Sequence, residues 1–256
     1  MDTENPLRIM VRKLRTRSAI NAEGEAAILA LPYARRHYEP PGYLVREGAT
    51  LVSHCSFVIE GFAYRQKLTI EGSRQIVSVH IPGDFLDLQH LFLNRADHNV
   101  QALTQMATID IERTALQDLI LCHPDVGRAL WIDALIDASI YREWITNVGQ
   151  RDARSRIAHL LCEFAVRMQA AGLSNGKGCE LPMTQAQIGD AVGLTNVHVN
   201  RVIRSLIADG TVRRDKRNVT FDDWERIRAV GDFSALYLHL DQSTVMPGGG
   251  SIPDPG

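Results

Sequence analysis

The chain has 256 residues, 45% hydrophobic and 23% charged, which suits one large globular domain or two modest ones. Lys plus Arg is 28 and Asp plus Glu is 30, a formal charge of -2 that excludes a polycation coating nucleic acid or membrane along its whole length. Residues 1–150 nevertheless sum to -3 and residues 151–232 to +3, with Asp241 and Asp254 beyond, so the basic balance lies in the second part.

From about residue 6 to residue 34 the spacing of Leu7, Val11 and Leu14, then Ile28, Leu29 and Leu31, predicts helix, ended by Pro40-Pro41-Gly42. From Tyr43 to Glu112 the texture changes to short β-type runs broken by glycines: 43–45, 55–70, 76–81, 99–104 and 106–112. Such runs predict an antiparallel roll or barrel. A short helix is expected over 114–121, ahead of Pro124, and a long one from Asp125 to Val148. On the long helix Gly127, Trp131, Ala134, Ala138, Tyr141, Ile145 and Val148 recur at alternating spacings of four and three, which is a coiled-coil seam. A second line, Ile132, Ile136, Ile140 and Trp144, follows another face. One stripe suits the roll and the other a second copy. Trp131, Ala134, Ala138, Tyr141, Ile145 and Val148 are therefore the candidate dimer contacts; burial of the whole helix within one molecule is the alternative. Gly149-Gln150 is the expected break, followed by an amphipathic helix with Ile157, Leu160, Leu161, Phe164 and Met168 on one side.

Residues 181–212 are the most informative. Thr184 is a helix N-cap with Gln187 completing a capping box. Gly193 suits the left-handed turn after that helix, and Leu194 can plug the space between two helices. Thr195 caps a second helix whose buried side would be Val199, Val202, Ile203 and Leu206. This is a helix-turn-helix pattern. Asn196, Val197, His198, Asn200 and Arg201 fall on its open side, and their chemistry matches base edges: Arg for guanine, Asn for adenine, Val for a thymine methyl. Thr184, Gln185 and Thr195 stand at helix starts, where free N–H groups hold phosphates. Residues 208–221 read as a β-hairpin wing carrying Arg213-Arg214-Asp215-Lys216-Arg217, and Asp222-Asp223-Trp224-Glu225 predicts another capping box and a closing helix. Arg204, Arg214, Lys216 and Arg217 are candidate phosphate contacts.

Other chemistry is sparse. No apolar run approaches the ~20 residues of a membrane span, and the charged N-terminus has no signal-peptide texture, so a cytoplasmic protein is expected. Cys55, Cys122, Cys162 and Cys179 form no CxxC pair and read as free thiols; no metal site is predicted. Cys179, just ahead of the helix-turn-helix, is a candidate redox-responsive thiol. There is no G-x-S-x-G, HExxH or phosphate loop, so no enzyme is expected.

The order of parts resembles the Crp/Fnr family of transcription regulators over about residues 7–232. The carriers are Glu60-Gly61, Gly72-Ser73-Arg74-Gln75-Ile76, Pro82-Gly83-Asp84-Phe85, the seam helix, RDARSRIAHLL and above all TQAQIGDAVGLTNVHVNRVIRSL. The resemblance implies an α+β fold: a cyclic-nucleotide-binding-like antiparallel β-roll (1–124), a dimerisation helix (125–150) and a winged helix-turn-helix (151–232). An extension with a disordered end (233–256) follows. It also implies a homodimer on a palindromic double-stranded DNA site that contacts RNA polymerase. Cyclic-AMP-binding members hold ribose with Gly-Glu and the cyclic phosphate with Arg-Ser or Arg-Thr. Here Gly83-Asp84 and Ala96-Asp97 stand at the positions expected for them, with Arg95 adjacent, so control by cyclic AMP is not expected. The family's oxygen sensors use an N-terminal cysteine cluster, which has no counterpart here. His54, Cys55, His80 and His90 leave haem or another effector open. Relatives often carry Glu-x-x-Gly-Arg or Glu-x-x-Ser-Arg where this chain has Val197-x-x-Asn200-Arg201, so its half-site should differ. The alternative function is an effector-binding module whose helix-turn-helix mediates protein contacts.

Overall fold

A computed structural model describes residues 5–50, 53–175 and 178–240. The Gly- and Pro-rich end expected to be disordered lies outside the described residues. Helix α1 (Leu7–Arg15) buries Leu7, Met10, Val11 and Leu14, and α2 (Ala22–Leu29) is capped by Asn21, whose side chain accepts the Gly24 N–H. The helical expectation fails at its end, because β1 (Tyr33–Tyr38) is already a strand paired along its length with β7 (Met106–Glu112). Its residues are exposed except half-buried Tyr38, and they include Arg35, Arg36 and His37. An edge strand with neither face buried writes no period-two apolar signal into its sequence.

The other strands fall where the glycine-punctuated runs predict. They are β2 (Tyr43–Val45), β3 (His54–Glu60), β4 (Ala63–Leu68), β5 (Arg74–His80) and β6 (Asn99–Ala102). They form two antiparallel sheets, β1-β7-β3 and β2-β6-β4-β5. Val45, Val58, Leu86, Val100 and Met106 fill the roll between them. The outer side of the first sheet is covered by α1, α2, α3 (Arg113–Cys122) and the start of α4 (Pro124–Gln150), around Phe57, Ile109, Ile111 and Val126. Proline at the first position of α4 is tolerated because that N–H has no helical acceptor in any case.

At 27 residues α4 spans about 40 Å. Its break falls at Arg151-Asp152 rather than Gly149-Gln150. The Asp152 carboxylate accepts the N–H groups of Arg154 and Ser155 and so starts α5 (Ala153–Ala170). The two predicted stripes of α4 part company. Ile136, Ile140 and Trp144 are buried against the same chain, whereas Trp131 and Ile145 of the seam are 59% and 72% exposed, with Leu135 beside them at 61%.

One core runs from Tyr64, Ile76 and Val79 of the roll, through Ile136 and Ile140, into α5 and the C-terminal elements. Those elements are β8 (Gly178–Glu180), α6 (Gln185–Val192), α7 (Asn196–Ala208), β9 (Arg213–Asp215), β10 (Asn218–Thr220) and α8 (Trp224–Val230), with sheet order β8-β10-β9. The expected capping box before α8 is absent. Asp223, not Asp222, is the cap and accepts the Arg226 N–H, which moves Glu225 off the reciprocal position; it pairs instead with Arg228 at 3.2 Å. Beyond α8 the chain turns back onto the joint of α4 and α5. Phe233 and Leu238 are buried, the Tyr237 hydroxyl donates to Glu163 at 2.8 Å, and His239 lies 3.2 Å from the Ser139 hydroxyl.

Candidate nucleic-acid interface

Local chemistry builds the helix-turn-helix. Thr184 Oγ1 accepts the Gln187 N–H at 3.2 Å while Gln187 Oε1 accepts the Thr184 N–H at 2.8 Å, closing the predicted capping box. Gly193 has φ 68° and ψ 40°, the left-handed conformation that glycine alone adopts without Cβ strain. Gly189 is needed for a different reason: a Cβ there would lie 2.4 Å from the Leu194 carbonyl oxygen where the chain doubles back. Thr195 Oγ1 accepts the His198 N–H at 3.3 Å and starts α7. Val199, Val202, Ile203 and Leu206 are buried, as their spacing predicts, and Leu194 packs partly buried against the same core.

The opposite face of α7 is open. Asn196, Val197, Arg201 and Arg204 are exposed, Val197 at 71%, while His198 and Asn200 are half-buried. The side chains of Arg201 and Arg204 make no hydrogen bond or ion pair among the described residues. Asn200 is committed in part, since its Nδ2 donates to Gln185 Oε1 at 3.0 Å and ties α7 to the first turn of α6. The far end of α7 is braced by Arg154, which donates to Ser205 Oγ at 2.9 Å and pairs with Asp209. The Thr211 hydroxyl, at 2.6 Å, and then Arg154 hold the Asp209 carboxyl down to about 2. On the wing Lys216 and Arg217 are exposed at the tip, Arg214 folds back to donate to the Lys216 carbonyl at 2.9 Å, and Arg213 pairs with Asp222 at 2.5 Å.

Two further contacts fix this unit on the roll, and spacing gave no sign of either. Arg74 at the start of β5 donates through Nε to Asp190 of α6 at 2.7 Å, and Gln75 Nε2 donates to the Ala191 carbonyl at 3.1 Å. They join residues 116 apart in sequence, so only the folded chain brings them together.

This geometry has counterparts. Residues 155–230 match the family model of the Crp-like helix-turn-helix domain, and residues 35–123 match that of the cyclic nucleotide-binding domain. The chain belongs to the Crp/Fnr family. It is 29% identical over 174 residues to the transcriptional activator protein FnrL of Cereibacter sphaeroides, covering 66% of this chain and 69% of that one. It is 27% identical over 174 residues to the nitrogen fixation regulation protein FixK of Bradyrhizobium diazoefficiens, covering 68% and 72%. The solved structure of FixK2 from Bradyrhizobium japonicum superposes with a TM-score of 0.72 at 23% identity, over 80% of this chain and all of that one. Family and relatives are transcription regulators, not enzymes.

The positions at which the family's nucleotide pairs were expected carry other contacts in this chain. Asp84 Oδ1 receives Lys13 at 2.7 Å, and its Oδ2 receives Arg167 at 2.8 Å and the Ile81 N–H at 3.0 Å. Burial alone would raise its carboxyl, but Lys13 and Arg167 outweigh burial and hold it well below the carboxylate range. It joins α1 to α5 and is not free for a ribose. Ala96 is packed inside the roll, Asp97 points to solvent with His98 Nδ1 at 2.7 Å, and Arg95 is exposed. These residues do not fit a cyclic phosphate. His90 stacks on His98 with ring centres 6.4 Å apart, while His54 stands apart on Asp110. His54 pairs with Asp110 at 3.3 Å, His90 lies 3.4 Å from Asp87, and no group of three His, Cys, Asp or Glu side chains among the described residues is placed to hold a metal ion. The redox expectation for Cys179 runs against the structure: it is buried, and burial pushes its thiol up to about 12, away from the reactive thiolate. No helix among the described residues is long and apolar enough to cross a membrane.

Proposed function

We propose that this regulator acts in the cytoplasm as a homodimer on a two-fold-related DNA site, contacts RNA polymerase there, and does so without cyclic AMP. The carrying observation is the two-faced α7, buried on one side and offering Asn196, Val197, His198, Arg201 and Arg204 on the other. Asn196, Val197 and Arg201 are the base readers, with His198 at their edge and Asn200 held to Gln185. The chain divides into a sensor roll, the seam helix, the winged helix and the extension from 233. Thr184, Gln185 and Thr195 hold phosphates at the two helix starts, as do Arg204, Arg214, Lys216 and Arg217 along α7 and the wing. The exposed stripe Trp131, Ala134, Ile145, with half-buried Ala138, Tyr141 and Val148, is what a second α4 covers. Two copies joined there present their α7 helices to half-sites one helical turn apart, about 34–36 Å.

Selection of sites from a random DNA pool, with and without cyclic AMP, tests this reading. The expected outcome is one palindromic motif, unchanged by the nucleotide. Arg201→Ala should relax one base position and weaken specific binding by about 1–3 kcal/mol. Failure to enrich any motif, or enrichment only with cyclic AMP, refutes it. DNA binding that is absent, together with retention of a protein partner, is the outcome expected of the effector-module alternative.

A further inference from the structure

A side-chain bond crosses from α7 to α6: Asn200 Nδ2 donates to Gln185 Oε1 at 3.0 Å. Both of its ends stand on firm backbone. Gln185 opens α6 directly behind the Thr184–Gln187 capping box, and Asn200 is flanked on α7 by buried Val199 and Val202. A carboxamide has a donor end and an acceptor end, so engaging one decides what the other offers. Asn200 commits its nitrogen to α6. Its Oδ1 has no hydrogen bond among the described residues and is not one of their buried unpartnered atoms, so solvent reaches it. Gln185 is the converse case: its Oε1 is engaged, while its Nε2 is unbonded among the described residues and open to solvent. The neighbouring Arg201 has its whole guanidinium free and can bring two donors to one guanine, whereas Asn200 brings a single acceptor.

We propose that Gln185 is a positioning residue that sets base choice: by holding the Asn200 nitrogen against α6, it leaves Asn200 Oδ1 to read one base of each half-site, which is then adenine or cytosine. The inference rests on the reading of α7 as the base-reading helix. A free asparagine takes adenine alone, because it accepts from N6 while donating to N7. With its nitrogen turned to α6, the amide keeps only the acceptor. In the major groove an acceptor is met by an exocyclic amino group, N6 of adenine or N4 of cytosine. Guanine shows N7 and O6 there and thymine shows O4, all acceptors, so both are rejected. The same bond turns Gln185 Nε2 outward as a donor, the polarity that suits a phosphate oxygen. One hydrogen bond between two side chains therefore orients a base contact on α7 and a backbone contact on α6 together.

The test begins with site selection from a random DNA pool by the full chain and by Asn200→Ala. The variant should lose base preference at one position of each half-site, which locates the contact. Four duplexes that differ only there are then titrated by fluorescence anisotropy. The parent should bind the adenine and cytosine duplexes within about threefold of each other, and both about tenfold or more tightly than the guanine and thymine duplexes. Gln185→Ala releases the amide to donate to N7 and should raise the preference for adenine over cytosine to about tenfold. Gln185→Glu still accepts from Asn200 Nδ2, so adenine and cytosine should stay balanced, while all four duplexes bind more weakly because a negative oxygen replaces the donor facing the phosphates. A merely structural brace would weaken all four duplexes alike in Gln185→Ala and leave their ratios as in the parent. That result, a parent that selects adenine alone, loss of the balance in Gln185→Glu, or an Asn200→Ala motif identical to the parent's would each overturn the proposal. Failure of the parent to enrich any motif marks instead the failure of the DNA-reading role, and the inference falls with it.

Discussion

Asn200 and Val197 are both on the open half of α7, yet their surroundings give them different work. The Asn200 amide is shared with Gln185, which leaves it a brace between the two helices as much as a reader of adenine. Val197 has no such partner and is the one large apolar side chain of α7's N-terminal half left exposed, which suits a thymine methyl. The caps Thr184 and Thr195 and the turn glycine Gly193 were legible in the sequence because a cap and its target are three residues apart. The Gln185–Asn200 bond was not, because it links two helices whose crossing only the fold defines. The cysteines give a prediction at this scale. Burial raises the thiols of Cys55, Cys162 and Cys179, the last two to about 12, whereas Cys122 lies exposed at the end of α3. Native protein treated with a thiol reagent should therefore show one fast-reacting cysteine, located by peptide mapping at Cys122, and three that react only on unfolding. Peroxide should leave DNA binding of the parent and of Cys179→Ser alike; a difference between them would restore the redox role.

Among the elements, those with buried faces were readable. The amphipathic α5 follows from apolar spacing, the helix-turn-helix from that spacing together with its caps and turn glycine, and the strands β3 to β7, several buried on both faces, from short β-type runs broken by glycines. The strand β1 was missed because neither face is buried, and the cap of α8 slipped by one residue because two aspartates stand side by side. α4 carries two apolar stripes, and the sequence could not say which one the chain itself covers. The structure assigns Ile136, Ile140 and Trp144 to the interior and leaves Trp131, Leu135 and Ile145 outside. Ile145→Asp should thus leave far-ultraviolet circular dichroism unchanged while light scattering shows loss of the dimer and DNA affinity falls. A dimer that survives this change would remove α4 from the interface. The wing makes a separate prediction. Lys216 and Arg217 are exposed at its tip, and replacing both with alanine should lower the slope of log K against log salt by roughly 0.9 for each phosphate no longer neutralised. The preferred sequence should not change, since binding to phosphates positions the protein without reading bases.

At the scale of the whole molecule the roll and the winged helix are held as one body by interactions that no local pattern announces. Arg74 grips Asp190, Asp84 joins Lys13 to Arg167, and Tyr237 of the extension reaches Glu163, across separations of 71 to 116 residues. All of these are polar, and polar residues in a sequence look alike whether they end in solvent or in a joint. Several buried histidines lie in or near these joints, which gives the assembly a defined pH response. Burial first, and then Arg65, lowers His80 and His98; burial and then Arg151 lower His159. Each is biased toward its neutral form in the folded chain, while the unfolded chain protonates near the ordinary value of 6.5. A lowered histidine contributes stability that is present above the unfolded value and is lost as pH falls below it, because the unfolded state then binds the extra protons. Asp137, raised to about 6, acts in the opposite sense: the folded state takes up its proton first, which relieves the cluster on acidification. His80 is shifted well below its ordinary value, and His98 and His159 act in the same direction, against Asp137. The urea midpoint should decline steadily from pH 7 to pH 5, before the paired carboxylates titrate. His80→Gln should flatten part of that slope, and a midpoint that holds or rises over this range would show that the histidines are not buried in their neutral form.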